Sequence, residues 1–202
     1  MRFIFDLDNT LFGPADPIYK TVGARIKEHL CLLTGIAPET YEIRRAELEQ
    51  KYGTEYPLIP FCNEYGLDYD TVLTETFLAF DPAQMPIALR QGAENLALLS
   101  GERIVLSNAP IQYVEKMLAY FSLRSTFSSI HASLPQQLIN KKLASAFVKL
   151  MSDIPTVIID DKAENLLVPH DIGWKTVWFP LGEVSETPAH VDQVITSLDE
   201  LT

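Results

Sequence analysis

Asp6 and Asp8 stand at the end of a short apolar run, Arg2-Phe-Ile-Phe-Asp-Leu-Asp-Asn-Thr-Leu-Phe12. Carboxylates in that setting are costly unless something pairs them. A divalent cation does so. So does a role in which one acid stays ionised while the other cycles a proton. Asp160 and Asp161 close another apolar run, Thr156-Val-Ile-Ile-Asp160, with Asn165 just beyond. Two such pairs on parallel strands bring four carboxylates to one sheet edge, where they repel each other without a cation. All-oxygen donors of this kind suit Mg²⁺. Plainer accounts stand beside this one: Asp8 to Thr10 as a turn that caps a helix, and both pairs as loop acids facing water.

Ser107 and Asn108 follow the run Arg103-Ile-Val-Leu. They offer a hydroxyl and an amide at a strand end, or simply a cap for a helix that opens near Pro110. Lys141-Lys142 precede a predicted helix. A cation there opposes the helix dipole, and binding a phosphoryl oxygen gives it a reason. Two solvated lysines are the simpler account.

The elements that must position these groups alternate. Strands are expected at 2–7, 103–107, 128–132, 156–160 and 175–179. Helices are expected at 88–99, 113–121, 138–151, 163–168 and 191–201. That pattern gives α/β architecture, a Rossmann-like parallel sheet core with helices on both faces. Between Ile18 and Pro86 no strand is expected. Ile18, Val22, Ile26 and Leu30 recur at helical spacing up to Gly35. Further helices are expected from Pro38 to Tyr52, from Ile59 to Tyr65 and from Tyr69 to Phe80. The block reads as an inserted all-helical cap, residues 15–86, within a core of residues 1–14 and 87–202. Gly13 to Pro17 and Asp81 to Pro86 supply its hinges.

The 202 residues carry a net charge of −11. That argues against nucleic acid polymers and anionic membranes as partners, not against a small phosphorylated metabolite. No stretch is apolar for long enough to span a bilayer. Arg2 leads straight into the strand with the key acids, so no secretory leader is expected. Cys31 and Cys62 lack metal spacing and read as free thiols of a cytoplasmic protein.

In order, these pieces are D-x-D-x-T, strand-Ser, Lys, then strand-Asp-Asp-x-x-x-Asn. They resemble the four motifs of the haloacid dehalogenase superfamily, and the helical insertion resembles its cap. The nearest resemblance is to pyrimidine 5′-nucleotidase-like phosphatases. It rests on Phe5-Asp-Leu-Asp-Asn-Thr-Leu11, Ser107-Asn-Ala109, Lys141-x-x-x-x-Ala-Phe147-x-Lys149, Ile159-Asp-Asp-x-x-x-Asn165 and, in the cap, Tyr52-Gly53-Thr54. There are departures. Lys142 stands where relatives have proline, Ser107 where they have threonine, and the glycine-rich approach to the second strand is reduced to Gly92. The spacing to Phe147 selects Lys141 over Lys142.

The resemblance implies a Mg²⁺-dependent phosphomonoester hydrolase. Asp6 would be the nucleophile and Asp8 the acid and base. Thr10, Ser107, Asn108 and Lys141 would hold phosphate. Metal would be held by Asp6, the Asp8 backbone carbonyl and Asp161, with Asp160 behind them or as an alternate ligand. Asn165 would steady the loop. The cap would choose the substrate, with Arg44, Arg45, Lys51 and Tyr52 as candidate contacts or merely a charged helix face. The rival readings are a phosphomutase-type phosphotransferase and a non-catalytic phosphate-binding regulator on the same scaffold.

Overall fold

The computed structural model of the chain describes residues 1–53, 56, 58–135 and 137–201. Thr54, which belongs to the cap motif above, lies outside the described residues. Two compact units are present, Met1–Ala15 with Pro86–Thr202, and Asp16–Met85.

In chain order, β1 is Arg2–Phe5 and β2 is Phe12–Gly13. The second unit follows with α1 (Asp16–Thr34), α2 (Tyr41–Tyr52), α3 (Leu58–Tyr65) and α4 (Tyr69–Glu75). The first unit resumes with β3 (Ala88–Leu89), β4 (Glu102–Pro110), α5 (Ile111–Tyr120), β5 (Ser129–Ser133) and β6 (Thr156–Asp160). It ends with α6 (Leu167–Asp171), β7 (Lys175–Trp178) and β8 (Gln193–Val194).

One six-stranded sheet runs β5-β4-β1-β6-β7-β8, every neighbouring pair parallel. β2 and β3 form a separate antiparallel pair. The chain lays β4 and β5 outward on one side of β1, then β6 to β8 on the other. A parallel sheet that reverses direction in this way opens a crevice at the strands' carboxyl ends. β1 is central and buried on both faces. Ile4 packs with Ile104, Ile158, Phe147 and Trp174, and Phe5 meets Phe127 edge to face. Each such side chain contributes about 1.5–3 kcal/mol by leaving water.

The second unit is helical as expected. On α1, Ile18, Val22, Ile26 and Leu30 are buried, and α2 ends at Gly53 in the left-handed region. Cys31 and Cys62 are buried free thiols. Among the described residues no helix is long and apolar enough to cross a membrane.

The later helices depart from expectation, and side chains explain why. Residues 88–99 are not one helix. Ala88 and Leu89 pair with β2, and only Ala93–Leu98 winds, as a 3₁₀ segment. Gly92 breaks the run with φ +85°, and a Cβ there would lie 2.5 Å from the Asp199 backbone nitrogen. Gly92→Ala should therefore lower unfolding stability by roughly 2–4 kcal/mol, from the left-handed backbone and the overlap together. Urea denaturation measures this, and a loss within ~0.5 kcal/mol, the ordinary range for surface changes, would show the contact to be yielding.

Residues 138–151 form two 3₁₀ turns, Ala144–Ala146 and Val148–Leu150, instead of a helix. Asn140 Oδ1 accepts from the Lys142 amide at 3.0 Å, and Ser133 Oγ accepts from the Ile139 amide at 2.9 Å. Such side-chain bonds compete with the helical ladder. Lys141 therefore lies in a loop, and the helix-dipole reason for singling it out does not apply. The C-terminal stretch is β8 followed by a 3₁₀ turn at Leu198–Glu200 under a Ser197/Glu200 capping box, not a closing helix. Residues 69–80 are helical only to Glu75.

Candidate active site

Register brings the first and last acids together. Phe5 pairs with Ile159 across β1 and β6. Asp6 and Asp160 are the next residues on each strand, and the Asp6 amide donates to Ile159 O at 2.9 Å. Adjacent strands lie about 4.8 Å apart and in-register residues share a face, so the two carboxyls meet. Asp161 joins them: Asp6, Asp160 and Asp161 each offer an oxygen within 4.8 Å of the others.

Lys141 sits inside this cluster, 3% exposed. Its ammonium donates to Asp6 Oδ1 and, at 2.5 Å, to Asp160 Oδ2. Asp160 is fully buried. Its Oδ1 accepts from the Lys162 amide and from Asn165 Nδ2, both at 2.9 Å. Asp160 is thus held from three directions, whereas Asp161 is only half-buried and accepts from Asn9.

The charges do not balance. Burial pushes the Asp6 carboxyl up to about 8; Lys141 pulls it down, and Asp160, Asp161 and Asp8 push it up again. Burial, then Asp160, push Asp161 up to about 7, against Lys141, Lys162 and Asn9. Burial pulls the Lys141 ammonium down, but Asp160 and Asp6 outweigh it and its pKa is raised. Lys141 therefore keeps its proton, yet one ammonium does not compensate the surrounding carboxylates. The residues fit a bound Mg²⁺: the donors are all carboxylate oxygens, and the negative charge still uncompensated calls for a second cation.

Asp8 is buried, but its carboxylate is not part of the cluster. Its Oδ1 accepts from the Tyr113 hydroxyl at 2.6 Å. Thr10 is buried, and its hydroxyl donates to Asp6 Oδ2 at 3.2 Å. In this structure Thr10 orients the Asp6 carboxylate. Ser107 is buried within β4, two residues beyond the partner of Phe5. Its Oγ accepts from the Ala109 amide at 3.1 Å. Asn108 Oδ1 accepts from the Lys141 amide at 3.2 Å, which ties the lysine loop to β4. Lys142 is exposed.

The cap candidates are tied up within their own unit. Arg44 meets Glu64 and Glu47, both at 2.9 Å. Arg45 meets Glu49 at 2.7 Å, and Lys51 meets Glu64 at 2.5 Å. Tyr52 donates to Glu64 at 3.1 Å. These four residues form a paired helix face.

Further residues position the site. Asn9 takes φ +63° and its Oδ1 accepts from the Ala15 amide at 2.8 Å, which shapes the turn after β1. Asn tolerates that backbone, so its place after Asp8 was a readable signal. Arg90 donates to Asn9 O at 2.6 Å and to Phe179 O and Pro180 O at 2.7 Å, with its guanidinium 3.3 Å over the Phe179 ring. It staples the loops after β1 and β7 together. Ser133 donates to Asn108 O at 2.8 Å while holding Ile139. Tyr113 lies on the buried stripe of α5 with Val114, Met117 and Leu118. A buried tyrosine hydroxyl needs a partner, and that need was legible even though the partner was not. Burial, then the Asp8 charge, push its pKa well above the usual phenol range.

No protein-family model and no curated protein sequence matches the chain. Solved structures do match along its length. A HAD phosphatase from Thermococcus onnurineus superposes with a TM-score of 0.65 at 16% identity, covering 99% of this chain and 95% of that one. CbbY from Rhodobacter sphaeroides, in complex with phosphate, gives 0.65 at 22% identity over 99% and 95%. YfnB from Bacillus subtilis, bound to magnesium, gives 0.55 at 17% identity over 99% and 96%. With its six-stranded parallel sheet and early helical insertion, the chain has the haloacid dehalogenase-type fold.

Proposed function

We propose that the protein is a Mg²⁺-dependent phosphomonoester hydrolase acting on a small phosphorylated metabolite. The observation that carries this is the cluster of buried Asp6 and Asp160 with half-buried Asp161 around Lys141. Phosphate in one structural neighbour and magnesium in another support the same reading.

In this mechanism an Asp6 carboxylate oxygen attacks phosphorus. The bond to the leaving alkoxide breaks, and Asp8 gives that oxygen its proton. Asp8 then takes a proton from water, whose oxygen attacks the aspartyl-phosphate. The bond to Asp6 breaks and inorganic phosphate leaves. Lys141 and Ser107 hold phosphoryl oxygens through both steps. Thr10 keeps the Asp6 carboxylate oriented, and Asn108 and Asn165 steady the flanking loops. Mg²⁺, held by Asp6, Asp161 and the backbone carbonyl of Asp8 with Asp160 in support, supplies charge compensation. The three hydrogen bonds on Asp160 favour Asp161 as the direct ligand. The motif resemblance favours a pyrimidine nucleoside monophosphate as substrate.

The test is p-nitrophenyl phosphate turnover beside melting curves in EDTA and in Mg²⁺. Mg²⁺ should switch on phosphate release and raise the melting temperature, since a ligand of the folded state stabilises it by mass action. Asp161→Ala should lose that thermal shift, and Asp160→Ala should lose less of it. Full activity after complete metal removal would end the metal-dependent reading. A screen of phosphorylated metabolites names the substrate, and product analysis separates transfer to water from transfer to a second sugar hydroxyl.

A further inference from the structure

The Asp8 carboxylate needs a fixed orientation to serve a leaving group and then a water. An aspartate's terminal torsion is broad and does not fix itself. Its backbone sits in the turn after β1, but the side chain is met from another element. Tyr113, in the first turn of α5, donates to Asp8 Oδ1 at 2.6 Å, a length typical of a strong bond to a carboxyl oxygen. Both groups are buried. The ring is anchored on the apolar stripe that seats α5, so the hydroxyl is a fixed point.

We propose that Tyr113 is the positioning residue for proton transfer: its hydroxyl holds the Asp8 carboxyl in the orientation that serves the leaving oxygen. The proposal rests on the phosphatase reading. The role assigned to Tyr113 is exerted through its bond to Asp8. Tyr113→Phe keeps the ring and removes the bond. A misoriented acid costs most where the leaving group most needs a proton. p-Nitrophenolate leaves readily without one, whereas phenolate needs more help.

The experiment compares kcat/KM for p-nitrophenyl phosphate and phenyl phosphate in wild type, Tyr113→Phe, Asp8→Asn and the double variant, with a melting curve for each. Tyr113→Phe is expected to lose about ten-fold or more against phenyl phosphate, on the scale of one charge-assisted hydrogen bond, and several-fold less against the nitrophenyl ester. KM should change little. In the Asp8→Asn background the second substitution should cost nothing further, because groups that act as a unit are non-additive. Equal losses on both esters, additive losses in the double variant, or failure of Tyr113→Phe to fold would each make the bond structural and overturn the proposal. Absence of turnover in the wild type is a different result and overturns the phosphatase reading itself.

Discussion

Asp6→Asn should abolish phosphate release, by about a thousand-fold or more, while the protein still folds. The size follows from the role: a carboxylate that forms the covalent intermediate cannot be replaced by a neutral amide without losing the chemical step. The fold should tolerate the change because the cluster carries more negative charge than Lys141 compensates. Asp6 is buried, and its carboxyl is pushed up to about 8 by burial and by Asp160, Asp161 and Asp8 against the pull of Lys141. An asparagine removes one repelling charge, and Lys141 keeps its bond to Asp160. Steady-state phosphate release and a thermal melt test the two halves. Retention of a tenth of the wild-type rate would remove Asp6 as nucleophile.

How much of this could be read from the chain depended on whether a residue's partner was near in sequence or in register. Five of the sheet's six strands were legible as apolar runs, and β1, β4, β5 and β6 carry an acid or hydroxyl toward the carboxyl end; β8 was not, because residues 191–201 read as a closing helix. The two acidic pairs were legible because one rule, charge at the end of a buried strand, flags both. The helix over 138–151 was not. Its apolar pattern suits a helix, but Ala146, Phe147 and Leu150 reach the core from 3₁₀ turns. The loop before them folds around Ser133, which holds the Ile139 amide, and around Asn108, 33 residues before Lys141 in sequence, which accepts from the Lys141 amide. Tertiary bonds of that kind override local propensity. The same holds for Arg90. It stands in what reads as a helix, yet it closes on carbonyls on either side of the sheet's carboxyl edge. The Asp8–Tyr113 bond spans 105 residues, and no motif spacing encodes it. Thr10 shows a different limit: its type and place were readable, but whether it faces phosphate or Asp6 depends on a rotamer.

Lys141→Ala should be severe and Lys142→Ala mild, although the two lysines are neighbours. Lys141 is buried between Asp6 and Asp160. Lys142 is exposed, and the bond it makes to Asn140 uses its backbone amide, which alanine keeps. Removing one partner from a buried ion pair costs about 3–5 kcal/mol, because the remaining charge stays buried without compensation. Here two carboxylates would be abandoned, and the phosphoryl group would lose a cation in the transition state. Turnover should fall by about a hundred-fold or more, against less than about two-fold for Lys142→Ala. The stability loss should also depend on pH with a definite sign. Without Lys141, nothing opposes the burial and repulsion that already raise the Asp6 carboxyl above its ordinary 3.8. In the folded variant the carboxyls hold protons that the unfolded chain releases near pH 4. Between that pH and the raised folded value the native state binds more protons, so its stability falls as pH rises. The melting-temperature gap between wild type and Lys141→Ala should therefore widen as pH rises through about 8, where the wild-type Asp6 carboxyl gives up its proton and the variant's, raised further, keeps it. A gap independent of pH, or equal losses for the two lysine variants, would show that the Lys141 ammonium does not compensate these carboxylates.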